Sequence, residues 1–347
     1  MNATFSVCTR NQSMDLAKLI ASFFVVFLHV PFPGQIGQII GCLARFAVPL
    51  FFILAGYFSF QASSRTLLRR LRHIFLLEVA GSVLQILWCL LSPLGWGGSI
   101  TDGFYCLNLS FHQLLGWLLL NVNPFSGPLW FLNALLWCYG GLWLFTVIQK
   151  RQPISYRPLY ILGAALLACH FLLSRFAPML GLSVPYQLPR SALLLGLPLF
   201  FLGLLLGQFR TCLSRKCSSG QLSLMMVLFG LLCLLEQHFF GGAELYLGTL
   251  PMVIALILLT IQHPSLPAPA SLHPLLSRLG PWSTGVYLIH LIVLDGYTVF
   301  LISKSTQILG SWEPFLRPFL VLGGSLALSI LWDCLLLAGK KFLPARR

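Results

Sequence analysis

One apolar stretch, residues 14–29, carries three side chains suited to chemistry: Asp15, Lys18 and His29. If the stretch is a helix, the eleven residues from Lys18 to His29 make about three turns, which places both side chains on one face about 16 Å apart. Asp15 and Ser22 fall on the same face. Polar side chains are costly in lipid and most often face a protein interior or a water-filled path. This polar stripe is therefore the first candidate functional site.

The composition identifies the class of protein that contains this stripe. Of 347 residues, 57% are hydrophobic and only 9% are charged, whereas a soluble protein carries roughly a quarter charged residues. We therefore predict an all-α integral membrane protein. The net charge of +14 falls in short loops, which is typical of membrane topology and argues against nucleic-acid binding. The ten cysteines lack the spacing of zinc sites, so we expect no metal.

About ten apolar runs approach the roughly 20 residues that a helix needs to cross a bilayer. We treat residues 1–347 as one membrane domain, so the chemistry has to be built within the helix bundle. The predicted transmembrane helices are 14–30, 38–60, 73–92, 128–148, 159–174, 191–209, 221–236, 245–262, 282–302 and 314–337.

The basic residues indicate the orientation of these spans, because cytoplasmic loops carry an excess of Lys and Arg. With the N-terminus inside, most basic residues fall on the inner side, and Arg45 lies in the outer part of the second span. The outer set holds only Arg175, Arg190, Lys304 and Arg317. We therefore predict that both the N- and C-termini are cytoplasmic.

The longest loop, residues 93–127, then lies on the extracytoplasmic side. It contains a short apolar piece, residues 111–121. This piece is too short to span a bilayer, so we predict an interfacial or re-entrant segment.

In this orientation His29 lies toward the outer side, where Arg45 and Glu236 are also expected. A neutral imidazole beside a carboxylate can take a proton from a hydroxyl near physiological pH. We therefore interpret His29 as a general base and Glu236 as its candidate partner. A lone buried histidine such as His170 is more often a packing residue.

A basic cluster at residues 69–72 (Arg-Arg-Leu-Arg) follows the second span on the inner side. One interpretation is that it only anchors the topology and pairs with anionic lipid. The other is that Arg69 and Arg72 bind phosphates, because guanidinium groups make bidentate contacts to phosphate oxygens. The cluster alone does not decide between the two.

Two blocks near the N-terminus resemble the integral-membrane acyltransferase 3 family, which includes bacterial O-acetyltransferases of surface polysaccharides. Residues 14–29, MDLAKLIASFFVVFLH, are similar to the family's Arg-x10-His helix, with Lys18 where arginine is usual. Residues 45–58, RFAVPLFFILAGYF, are similar to the second block, with Ala55 in place of serine. The basic cluster at 69–72 resembles the R-x-x-R that follows it.

Two later segments, PLWFLNALL at 128–136 and GVYLIH at 285–290, resemble further signatures of the same family. The resemblance implies that Trp130, Tyr287 and His290 are substrate-binding residues. It also extends over nearly the whole chain.

The resemblance implies a membrane acyltransferase, an O-acetyltransferase of a bacterial cytoplasmic membrane. Its donor would be cytoplasmic acetyl-CoA or another acyl-CoA, and its acceptor a hydroxyl of an extracytoplasmic envelope or surface glycan. Arg69 and Arg72 would bind the CoA phosphates, and His29 would be the catalytic histidine. No permanently bound cofactor is expected.

Three further residues would complete the catalytic set of such an enzyme. Lys18, paired with Asp15, would keep the path hydrated, and Arg45 would stabilise the developing oxyanion. The lysine at position 18 gives a point charge and not the planar fork of an arginine.

Two other functions fit the same residues. A polar stripe that lines a helix bundle is also typical of a membrane transporter or permease, although the chain shows no half-to-half repeat of interrupted helices. A binding or regulatory membrane protein that has kept the fold and lost the chemistry is the third interpretation, because Lys18 and Ala55 depart from the family pattern. No motif in the outer loops identifies the acceptor.

Overall fold

The computed structural model describes residues 11–106, 110–149 and 155–342, and every regular element in these ranges is a helix. Sixteen α-helices are joined by short 3₁₀ and π segments. They are α1 (Gln12–His29), α2 (Gly34–Ala44), α3 (Ala47–Ser59), α4 (Ser64–Leu91), α5 (Ile100–Cys106), α6 (Phe111–Leu120), α7 (Trp130–Ile148), α8 (Arg157–Phe171), α9 (Ala177–Met179), α10 (Leu197–Lys216), α11 (Ser219–Phe240), α12 (Thr249–Gln262), α13 (His273–Leu276), α14 (Leu279–Gly296), α15 (Ile302–Leu309) and α16 (Glu313–Phe342).

Eight helical segments within the described ranges are long and apolar enough to cross a membrane. The last of them, Leu279–Ala338, contains α14 and most of α16, and these two helices pack against each other after a reversal near Gly310. The shorter apolar helix α12 coincides with the eighth predicted span. Each of the ten predicted spans thus overlaps a helix, and the prediction of an all-α membrane protein is confirmed. The cytoplasmic position of the termini stays a prediction, and residues 1–10 and 343–347 lie outside the described residues.

Helix α1 has clear start and stop signals. The Asn11 side chain accepts a hydrogen bond from the Met14 N–H at 2.8 Å, which caps the first turn. The helix ends at His29, and Pro31 follows two residues later, where the ring and the missing N–H prevent continuation. Small residues such as Ala21, which is fully buried, face the bundle. His29 is therefore held at the end of a well-anchored helix.

The second predicted span is two helices and not one. α2 ends at Ala44 and α3 begins at Ala47, and the Arg45 N–H donates to the Cys42 carbonyl at 3.2 Å in the turn between them. Arg45 therefore lies at a break in the helix, where its side chain reaches a loop that is distant in sequence.

The third predicted span, 73–92, begins earlier than expected. α4 starts at Ser64, because the Ser63 side chain caps it by accepting from the Thr66 N–H at 3.3 Å. Arginine is a good helix former, so the basic cluster at 69–72 continues the helix instead of forming a loop.

The centre of the bundle is the contact between α3 and α10, where two glycines allow the backbones to approach closely. A Cβ at Gly56 would lie 1.9 Å from the Phe200 carbonyl oxygen, and one at Gly203 would lie 2.1 Å from the Ile53 carbonyl oxygen. Small residues that permit such contacts are typical of helix packing in membranes.

Polar contacts fix α14 relative to its neighbours. The Ser283 hydroxyl donates to the Lys18 carbonyl at 2.9 Å, which ties α14 to α1. Asp333 of α16 accepts from the Arg278 Nε at 2.6 Å and from the Trp282 Nε1 at 3.2 Å. α14 is the helix that carries Tyr287 and His290, so these contacts set the position of both side chains.

The loop predicted at 93–127 contains α5 and α6, and its residues 107–109 lie outside the described ranges. α6 has only 10 residues and begins with a capping box between Ser110 and Gln113. It ends at Leu120, and the next residue, Asn121, caps it with a left-handed φ of 61°. The interfacial or re-entrant character of this segment stays a prediction.

Candidate functional site

A cavity of about 40 Å³ lies at the end of α1 that carries His29. This volume holds a few water molecules. Its wall includes side chains from six separate parts of the chain: His29, Arg45, Trp130, Arg190, Glu244 and Tyr287.

Two histidines meet beside this cavity. His29 is exposed at the end of α1, and its ring centre lies 5.2 Å from that of His290, with the planes tilted by 43°. His290 is buried, with 1% of its surface exposed. Its Nδ1 lies 2.8 Å from the Tyr287 carbonyl oxygen.

One carboxylate in the cavity wall is shared by two arginines. Glu244 Oε2 lies 2.8 Å from Arg45 Nη1 and 3.4 Å from Arg190 Nε. Glu244 Oε1 accepts from the Tyr186 hydroxyl at 3.0 Å, and Arg190 also donates to that hydroxyl. Burial, followed by the charge of Glu244, raises the pKa of Tyr186, so its hydroxyl stays protonated and able to donate. The two guanidinium groups are thus held next to the His29 end of α1.

The two aromatic residues implied by the family signatures lie in the cavity wall. The Trp130 ring is covered by Arg190, whose Cζ lies 5.0 Å from the ring centre, an arrangement that favours the cation electrostatically. The Tyr287 hydroxyl donates to the Pro128 carbonyl, which ties α14 to the loop before α7.

A second cavity, of about 170 Å³, adjoins the first and shares Trp130 and Arg190 with it. Its wall also includes Tyr186 and the buried Asn121 and Asn123. An aromatic and polar chamber of this kind is suited to a ligand that carries hydroxyl groups.

The predicted pairing at the other end of α1 is present. Lys18 Nζ lies 3.0 Å from Asp15 Oδ1 and 5.3 Å from the centre of the Phe58 ring. Phe58 is near the end of α3, and its carbonyl accepts from Arg70 at 2.8 Å. The Lys18 end of the polar stripe is therefore linked, through Phe58, to Arg70 of α4.

The three arginines of the basic cluster differ in their exposure and in their hydrogen bonds. Arg70 is half-buried and also donates to the Ser59 hydroxyl at 3.0 Å. Arg69 and Arg72 are exposed and have no hydrogen bond or ion pair with the part of the chain that the structure describes. Arg70 thus fixes the helix, while the two arginines predicted to bind phosphate are available to a ligand.

Glu236 is not brought to His29. Its carboxylate accepts from the backbone N–H groups of Leu247 and Gly248, each at 2.9 Å, and lies 3.9 Å from Arg175 Nη2. It therefore anchors the loop between α11 and α12. The acid that reaches the cavity is Glu244, on the same loop.

The sequence interpretation missed both Glu244 and Arg190 as site residues. One signal was present: the chain has only eight acidic residues, so an acid in an outer loop is a natural partner for the outer Arg45. The contact joins residues 199 positions apart, which local periodicity does not reveal. Within the described residues, no group of three or more His, Cys, Asp or Glu side chains could hold a metal ion.

Comparison with known proteins identifies the family. A family model described as an acyltransferase domain matches residues 11–333, nearly the whole chain. No curated protein and no solved structure matches the chain. The match includes His29, the basic cluster and both arginines of the cavity. The chain therefore belongs to the acyltransferase 3 family and is a multi-pass membrane acyltransferase.

Proposed function

We propose that the protein transfers an acetyl group from cytoplasmic acetyl-CoA to a hydroxyl of an extracytoplasmic envelope or surface glycan, in a bacterial cytoplasmic membrane. One observation carries the proposal. A single helix, α1, connects Lys18, which is linked through Phe58 to Arg70 of the basic cluster, with His29, beside a cavity that two arginines line. Two substrates on opposite sides of a bilayer require such a pair of sites.

The proposed binding site for the acetyl donor consists of positively charged side chains that are exposed and not fixed in one geometry. Arg69 and Arg72 are exposed on α4, and guanidinium groups bind phosphate in a bidentate manner. Arg70 ties α4 to the end of α3, which leaves Arg69 and Arg72 exposed on the same helix. The phosphates of CoA would bind here, and the pantetheine arm would extend along α1 toward His29.

The proposed acceptor site, at the His29 end of α1, provides a general base and two positively charged guanidinium groups. His29 removes the proton of the acceptor hydroxyl, and the resulting oxygen attacks the thioester carbonyl. Arg45 and Arg190 stabilise the oxyanion of the tetrahedral intermediate. The C–S bond then breaks, the new ester C–O bond remains, and the CoA thiolate takes the proton from the His29 imidazolium. A transient acyl-imidazole on His29 is the other route to the same products.

The sizes of the two cavities support a glycan acceptor. About 40 Å³ beside His29 admits a hydroxyl group but not a sugar ring. The adjoining cavity of about 170 Å³ is lined by the exposed Tyr186 and by the buried Asn121, whose Nδ2 has no partner among the described residues and can donate to a hydroxyl group. The ring would rest there while one hydroxyl reaches His29.

The experiment is acetyl transfer from labelled acetyl-CoA to envelope material in membranes that contain the protein. His29→Ala is expected to lower transfer by at least about 100-fold, the smallest effect usual for a general base. The matched control is His238→Ala, an exposed histidine near the end of α11, which should leave the rate unchanged. Undiminished transfer by the His29 variant would contradict the proposal.

A further inference from the structure

His290 lies beside His29 at a separation that suits a hydrogen bond between the two rings. Their centres are 5.2 Å apart. Two imidazoles that share an N–H···N bond have centres roughly 5 Å apart, because each nitrogen is about 1.1 Å from its ring centre and the bond spans about 2.9 Å. His29 is exposed at the helix end, so a rotation of its side chain can align the two nitrogens.

The tautomer of His290 follows from its backbone contact. Its Nδ1 lies 2.8 Å from the Tyr287 carbonyl oxygen, and a carbonyl only accepts, so Nδ1 carries the proton. In a neutral ring the other nitrogen, Nε2, then holds a lone pair. This Nε2 is buried and has no partner among the residues that the structure describes. A buried acceptor without a donor is costly, so the site needs a group that donates to Nε2.

We propose that His29 is that donor and that His290 is a positioning residue, which fixes the tautomer and the orientation of His29. When one His29 nitrogen donates to His290 Nε2, the other nitrogen is left with its lone pair facing the cavity. A base that is oriented by a third group is the usual arrangement in general-base and nucleophilic catalysis. The inference rests on the proposed role of His29.

The position of His290 distinguishes this role from the substrate binding implied by the family signature. His29 and Tyr287 line the cavity, whereas His290 lines neither this cavity nor the adjoining one. An acceptor hydroxyl in the cavity therefore meets His29 first. The arrangement also accounts for a base that pairs with no carboxylate in the part of the chain that the structure describes, since Glu236 is bound to Leu247 and Gly248.

The test compares two substitutions that differ in one property. His290→Phe keeps a ring of similar size but has no acceptor, whereas His290→Gln keeps an acceptor oxygen. With acetyl-CoA as the donor, we expect His290→Phe to lower kcat by about 10- to 100-fold, the range usual for residues that orient a functional histidine, with little change in KM. His290→Gln should recover most of kcat.

A spectroscopic measurement separates positioning from a merely structural role. Nitrogen-15 NMR of the histidine-labelled protein in lipid, with His29 assigned by comparison with His29→Ala, reports the His29 tautomer. We expect one tautomer in the unmodified protein and in His290→Gln, and a mixture in His290→Phe.

The chain offers a matched control for these variants. His170 is also fully buried, lies 3.0 Å through Nδ1 from a backbone carbonyl, that of Pro189, and has no partner for Nε2 within the described ranges. His170→Phe should change neither kcat nor the His29 tautomer. Thermal unfolding in detergent verifies that each variant is folded.

The outcomes separate this inference from the proposed function. If His29→Ala abolishes transfer but His290→Phe alters neither kcat nor the tautomer, the positioning role is wrong and the acetyltransferase proposal stands. If His29→Ala retains full activity, the proposed function fails, and the tautomer measurement still decides whether the two rings are paired. A single unchanged tautomer in His290→Phe overturns the inference in either case.

Discussion

The two ends of α1 carry the same kinds of charged side chain but arrange them differently. At the Lys18 end, Lys18 pairs with Asp15 and contacts Phe58, which also accepts from Arg70 of α4, and Arg69 and Arg72 of that helix are exposed. At the His29 end, Arg45 and Arg190 share Glu244 in the wall of a small cavity. Exposed guanidinium groups suit the binding of a mobile phosphate chain, whereas fixed ones suit the stabilisation of charge at one atom. Substitutions at the two ends should therefore affect KM and kcat differently.

The largest effect after that of His29 is expected at Arg45. Arg45→Ala removes one donor from the region where the oxyanion forms, and the loss of one such donor usually costs about 100- to 1,000-fold in kcat. The measurement is kcat and KM for acetyl-CoA in reconstituted membranes. Arg317→Ala is the control, because Arg317 has a comparable ion pair, 2.7 Å from Glu313, in α16. Equal losses in both variants would remove Arg45 from the site.

Glu244→Gln is expected to have a smaller effect at the same end. The amide keeps the shape but not the charge, so Arg45 and Arg190 lose the anion that holds them together, and we expect kcat to fall about 10-fold. Glu236→Gln is the comparison, since Glu236 holds the loop and does not line the cavity. It should lower the unfolding temperature more than kcat. The reverse ranking of the two variants would restore Glu236 as the partner of His29.

At the other end of α1 the expected effect is on donor binding. The double variant Arg69→Ala with Arg72→Ala should raise KM for acetyl-CoA about 10-fold and leave kcat nearly unchanged, because it removes phosphate contacts far from the reacting atoms. Arg157→Ala with Arg210→Ala removes the same charge from two other exposed arginines and should change KM little. An unchanged KM in the first variant would leave membrane topology as the role of the cluster.

The smallest effect is expected for Lys18→Arg. The charge, the contact with Asp15 and the contact with the Phe58 ring can all be kept by arginine. We therefore expect transfer rates within about threefold of the unmodified protein, because a partly exposed ion pair contributes little. Lys18→Met, which loses the charge, should be slower. Equal rates in Lys18→Met and the unmodified protein would show that no charge is needed at this position.

The helices and the polar stripe were predictable, because they depend on local pattern. The apolar runs gave ten spans that all overlap helices, and the spacing of Lys18 and His29 placed both on α1. The helical start of α4 was misjudged because four arginines near its first turns lower the apolar signal, although Ser63 is a favourable cap.

The composition of the His29 cavity was only partly predictable. Trp130, Tyr287 and Arg45 followed from the family resemblance, but Glu244 and Arg190 lie in loops whose positions depend on the packing of whole helices. Glu236 was chosen for its depth in the seventh span, and depth does not specify which way a carboxylate points. Contacts between distant loops are set by tertiary structure, which periodicity does not encode.

The central claim is that the two ends of α1 serve two substrates on opposite sides of a bilayer. The direct measurement uses liposomes that contain the oriented protein, with labelled acetyl-CoA supplied on one side only and envelope glycan on the other. We predict acetylated glycan when acetyl-CoA is on the side of Arg69 and Arg72, and none with His29→Ala. Equal acetylation when acetyl-CoA and glycan are both supplied only on the His29 side, or full activity of the His29 variant, would contradict the account.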